Sequence, residues 1–113
     1  MSTPAPHEHA PLRSASGIFD DVELYADQLV IRHRDILSRL REQAEILDLD
    51  DIVSVNNYPK RSDHSDWIQM KIVCHKHKPV EVCYSPSERP KMRELNVMLN
   101  ELLRYLHAQT PHD

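Results

Sequence analysis

The chain predicts a mostly β fold closed by one C-terminal helix. Three observations carry this. Met92, Leu95, Leu99, Leu102 and Leu106 recur at steps of three and four within Ser87 to His107, which marks one helix face. Upstream, Trp67 to His75 alternates strictly, and Val80 to Tyr84 alternates back after a short polar turn. Apolar residues make up 40% of 113 residues, enough for one core without a metal or disulfide scaffold.

Residues 1–16 hold Pro4, Pro6 and Pro11 with no periodicity and read as a disordered arm. His7 and His9 form a His-x-His pair, which on a loose arm supplies too few fixed ligands for a metal. Ile18 to Tyr25 is the first strand, with Val22 and Leu24 alternating against Asp21 and Glu23. Ala26-Asp27-Gln28 is its hairpin loop. Gln28 to Arg34 is the second strand, and its His33 falls at the edge of the core.

Asp35 to Leu47 has two readings. Ile36, Leu40, Ala44 and Leu47 sit at helical spacing, and Asp35 could cap a single helix. The favoured reading keeps only Asp35 to Glu42 helical and makes Glu45 to Leu49 a strand, since alternation sets in there. Asp50-Asp51 is a turn. Ile52 to Tyr58 is a β-branched strand that Pro59 ends. Lys60 to Asp66 is a charged loop.

In the next strand Ile68, Met70, Ile72 and Cys74 share one face, and Trp67, Gln69, Lys71, Val73 and His75 the other. A three-residue turn at Lys76-His77-Lys78 sets Cys74 opposite Val80 and Ile72 opposite Val82. Cys83 then points to the other side of the sheet from Cys74, so both thiols are expected free. Ser87 is the preferred helix cap, with Pro90 in the first turn; Ser85 with Glu88 as capping-box partner is the alternative. Met98 and Leu103 widen the helix stripe, while Asn96 lies mostly away from it. Residues 109–113 read as a tail, which leaves one domain at 17–108.

The chemistry-bearing residues are few. Net charge is −4 with histidine neutral, which gives no general pull towards nucleic acid or anionic lipid. No apolar run has the length of a bilayer span or a signal-peptide core, and the two cysteines form no disulfide framework, so a cytoplasmic protein is expected. With one glycine there is no phosphate-binding loop and no nucleophile elbow. Cys74, His75 and His77, with Cys83 across the hairpin, are the nearest thing to a zinc set, but Cys74 faces the core. No metal, cofactor or catalytic residue is expected.

Two surfaces remain. Arg32, Arg34, Arg39 and Arg41, with Lys60-Arg61 nearby, make a basic side. Trp67, Val73 and Cys83 form an outward apolar patch if the sheet is one-sided; a two-sided sheet would bury Trp67 instead. The candidate partner-binding residues are therefore Trp67, Val73, Arg32, Arg34, Arg39 and Arg41.

Four stretches resemble bacterial pleckstrin-homology-like (PH-like) domains: VELYADQLVIRHRDILSRL, AEILDLDDIVSV, WIQMKIV and PVEVCYSPSERPKMRELNVML. The likeness spans about residues 18–107 and lies in hydrophobic pattern, including the Leu49-Asp50-Asp51-Ile52-Val53-Ser54-Val55 run. It implies a bent antiparallel sheet or partly open barrel of about six to seven strands, closed by the helix at about 87–107. It also implies a binding or assembly module rather than an enzyme. Phosphoinositide-binding relatives carry lysines and arginines at the first hairpin loop, which here reads Ala26-Asp27-Gln28, so no lipid headgroup is expected.

The leading expectation is thus a non-enzymatic protein-binding scaffold that self-associates. The second is a small acidic regulator, of inhibitor or immunity type, that blocks a basic partner through Asp20, Asp21, Glu23, Asp27, Asp48, Asp50 and Asp51.

Overall fold

A computed structural model of the chain describes residues 10–34, 44–61 and 66–109. Seven strands and one long helix follow in order: β1 Arg13–Ser16, β2 Asp20–Leu24, β3 Gln28–His33, β4 Ala44–Asp48, β5 Ile52–Arg61, β6 Asp66–Cys74, β7 Val80–Tyr84 and α1 Arg89–Gln109. The strands make two antiparallel sheets, one in the order β1-β2-β3-β4 and one in the order β5-β6-β7. The fold is therefore mostly β with a C-terminal helix. Among the described residues no ladder joins the sheets into a closed barrel.

The two sheets and the helix share one core. Leu24, Leu29, Ile31 and Leu47 come from the first sheet, Ile52, Met70, Ile72 and Val82 from the second, and Met92, Leu95 and Leu99 from α1. Alternation explains the sheet contribution, because every second residue of β6 is buried from Ile68 to Ile72. Each large side chain so buried stabilises by about 1.5–3 kcal/mol. Among the described residues one backbone bond ties the sheets, from Ile18 N–H to the Cys83 carbonyl (2.7 Å); within them, His75 N–H to Asp51 (2.8 Å) extends the β5–β6 ladder and Leu49 N–H to Asp27 (3.0 Å) joins the end of β4 to the β2–β3 turn.

Several expectations need correction. Arg13–Ser16 is a strand paired to β2, inside the stretch read as a disordered arm. Only its Ala15 is buried, so the segment has no apolar alternation to read. Its ladder with β2 and a bond from Ser16 N–H to the Glu88 carboxylate (3.1 Å) hold it. Pro59 does not end its strand: β5 continues to Arg61, with Pro59 opposite Ile68. β5 is an edge strand, where a missing N–H costs no ladder bond.

The β6–β7 pairing is Ile72 with Val80 and Met70 with Val82, two residues off the expected register. The loop is longer than a three-residue turn, yet parity is kept, so the inward faces are as expected. Cys74 and Cys83 are both free. The helix opens differently as well. Ser85 precedes a 3-10 turn at Pro86–Glu88, and α1 starts at Arg89, so Ser87 is inside the turn rather than its cap.

The strand reading of 45–49 holds as β4, with Leu47 and Leu49 both buried, while Asp50 and Asp51 belong to a 3-10 turn at Leu49–Asp51. The proposed helical turn at 35–42, residues 1–9, residues 62–65 and the tail beyond 109 lie outside the described residues.

Candidate functional site

Trp67 begins the outer face of β6, half-buried. Its ring meets Phe19 edge-to-face, with centroids 6.0 Å apart. Phe19 is 49% exposed and sits in the β1–β2 turn, which rests on β7. Val73 is also on the outer face, but six residues along the strand from Trp67, roughly 20 Å at the usual strand rise. Gln69 and Lys71 lie between, and the Gln69 amide bonds the Glu81 carboxylate. A continuous Trp67–Val73–Cys83 apolar patch is therefore not formed; the apolar spot is Trp67 with Phe19.

The two described arginines of the basic side are each paired with a carboxylate. Arg32 Nε donates to Glu23 Oε1 at 2.9 Å, and Arg34 Nε lies 3.4 Å from Asp21 Oδ1. Both pairs are diagonal across the β2–β3 ladder, in which Asp21 faces Arg32 and Glu23 faces Val30. Arg34 also donates from its guanidinium to the Gly17 carbonyl, and its backbone N–H to Phe19 at 2.9 Å. It thus lies beside the Trp67–Phe19 spot. Arg39 and Arg41 lie outside the described residues, as do the side chains of Lys60 and Arg61.

His33 and His77 belong to a clamp between the sheets, whereas His75 contributes its backbone N–H to Asp51. Asp20 Oδ1 is 2.6 Å from His33 Nδ1, and Glu45 Oε2 is 3.1 Å from His33 Nε2. On its other oxygen Glu45 faces His77 Nε2 at 3.5 Å. His33 is therefore packed and bonded at the core edge, as expected of it. Asp51 accepts the N–H groups of Lys76 (2.8 Å) and His77 (3.1 Å) at the same hairpin. Burial pushes the Cys74 thiol pKa up, and the charges of Asp51 and Glu45 push it further. A thiol held protonated is a poor ligand and a poor nucleophile. Among the described residues no group of three or more His, Cys, Asp or Glu is placed to hold a metal ion.

The feature that the sequence reading missed is a groove of about 370 Å³ between α1 and the β5 edge. Asn57, Tyr58 and Pro59 form its strand side, and Arg89, Arg93 and Val97 its helix ridge. Tyr58 is 47% and Val97 53% exposed, so both offer apolar surface at the rim. Tyr84 and Asn96 lie deeper; the Tyr84 hydroxyl donates to Asn57 Oδ1 at 2.9 Å.

Asn96 is 8% exposed, and its Oδ1 has no hydrogen-bond partner. A buried carboxamide oxygen without a donor costs about 1–3 kcal/mol, so it marks a place where a partner group is missing. The signal was available: Met92, Asn96, Leu99 and Leu103 are also spaced at four, three and four, and Asn96 breaks that second stripe.

No protein-family model, curated protein or solved structure matches the chain. No helix among the described residues is long and apolar enough to cross a membrane.

Proposed function

We propose that the chain is a non-enzymatic, cytoplasmic protein-binding module of PH-like type, which receives an extended segment of a partner in the groove between α1 and β5. The observation that carries this reading is the unpaired Asn96 oxygen at a groove whose other wall is an open strand edge. An incoming strand can pair with such an edge while its side chains fill the groove. Four strands, then three, then a closing helix support the PH-like assignment. The first hairpin turn is Gly17-Ile18-Phe19 rather than 26–28, and it too carries no lysine or arginine, which argues against a lipid headgroup. The free thiols are in keeping with a reducing compartment.

The same module self-associates through the Trp67–Phe19 spot, the aromatic pair on the outer face of the second sheet. The acidic-regulator reading has less support. Asp20, Asp21, Glu23 and Asp51 all engage groups within the chain, which leaves few free carboxylates to face a basic partner.

The groove reading is tested with a photo-crosslinking amino acid at Val97 in the full chain, expressed in the native cells, with the same group at exposed Tyr105 as control. An adduct to one protein through a single contiguous segment at position 97, absent at 105, is expected. Equal labelling at both positions would sink the reading.

A further inference from the structure

The chemistry of the occupant can be taken further, on the footing of the groove reading. The groove lining contains two guanidinium groups, Arg89 and Arg93, and no carboxylate. That is unusual company in a chain of net charge −4. Arg89 and Arg93 are one helical turn apart and exposed. Neither has an ion-pair partner among the described residues, whereas Arg32 and Arg34 do. Arg89 and Arg93 crest the ridge and also border its other flank, where Glu94 and Glu101 lie.

Pro59 supplies no N–H at the strand lip, so a ladder along β5 is incomplete there, and side-chain contacts must add to it. Arginine presents paired donors that match a carboxylate in geometry. We infer that the groove takes an extended protein segment bearing an acidic side chain, its carboxylate seated against Arg89 and Arg93 and an N–H group donated to Asn96 Oδ1.

Short random peptides displayed on phage, selected against the immobilised full chain, supply the probe. The best binder is then synthesised and titrated against the parent, an Arg89→Gln/Arg93→Gln variant and an Asn100→Trp variant. Asn100 is an exposed groove residue, so the indole obstructs the site without entering the core. The expected result is an aspartate or glutamate at one fixed position of the selected peptides. Binding should fall about tenfold in the arginine variant, less at high salt, and be lost in Asn100→Trp.

Peptides that Asn100→Trp excludes, but that share no acidic position and bind the arginine variant like the parent, would overturn the acidic-segment inference and leave the groove reading intact. No enrichment, or binding that Asn100→Trp leaves unchanged, would overturn both. All three proteins should unfold at the same temperature, because the substituted side chains are exposed.

Discussion

Under the proposed groove reading, Asn96 sets stability against binding at a single position. Its neighbours in sequence space at the core face are leucines and a methionine, and a leucine there would continue the stripe. Asn96→Leu should raise the unfolding free energy by about 1–2 kcal/mol in urea titrations, since it removes an unsatisfied buried acceptor. The same change should abolish capture of the partner segment. Leu99 is fully buried, and Leu99→Ala should cost roughly 2–5 kcal/mol by the same measurement.

Gly17 is constrained from another direction. A Cβ there would lie 2.7 Å from the Cys83 carbonyl oxygen and 3.0 Å from that of Asp20. Both are backbone atoms and cannot swing away, so Gly17→Ala should destabilise by about 1–3 kcal/mol. Asp51 governs the acid limb. Burial acts to raise its pKa, but the N–H groups of Lys76 and His77 and the charges of His75 and Lys76 outweigh it and hold the carboxyl below its ordinary range. The ionised form is then the stabilising one. Its contribution is complete above about pH 5 and is lost as pH falls through the lowered value. Thermal unfolding followed from pH 6 down to about pH 2 should show a shallower decline for Asp51→Asn than for the parent.

At the scale of elements, β5 is the strand whose behaviour is most easily changed. Its proline leaves one donor missing from an open edge, a common guard against strand-to-strand aggregation. Pro59→Thr should leave the fold intact and raise the apparent mass in concentrated solution by light scattering. The legibility of each element follows its periodicity. β6, β7 and α1 carry long alternating or helical runs, and their faces could be assigned from sequence because one side of each meets the core. β1 could not, because Arg13, Ser14, Ala15 and Ser16 bury almost nothing; a ladder and the Glu88 carboxylate hold it, and neither leaves a hydrophobic trace. The β6–β7 register slipped by two for a related reason. Parity determines which side chains face inward, but a two-residue shift preserves parity, and the loop is held by polar contacts at its tip, among them the bonds of the Asp51 carboxylate to Lys76 and His77. The groove was illegible because it lies between elements far apart in the chain, although Asn96 in an otherwise apolar stripe was its visible trace.

At the scale of the whole molecule, the two sheets are fastened chiefly by the shared core, with polar contacts at the corners. The Trp67–Phe19 contact spans one of these corners, bringing a turn of the first sheet onto the face of the second. If the proposed self-association uses this spot, the parent should run as an oligomer and a Phe19→Ser/Trp67→Ser protein as a monomer with the same circular dichroism spectrum. An oligomer that survives this change would place self-association elsewhere.

The β1–β2 turn also has a consequence for assembly. By resting on Cys83 it stoppers the outer border of β7, so among the described residues the three-stranded sheet is left with β5 as its open side. Head-to-tail stacking through that sheet, β5 of one copy on β7 of the next, has nowhere to dock. Edge-to-edge pairing of this sheet in two copies would run β5 to β5 about a twofold axis, and each would thereby consume its own free edge. Growth along this direction terminates at a pair, and a foreign strand lying on β5 would prevent even that.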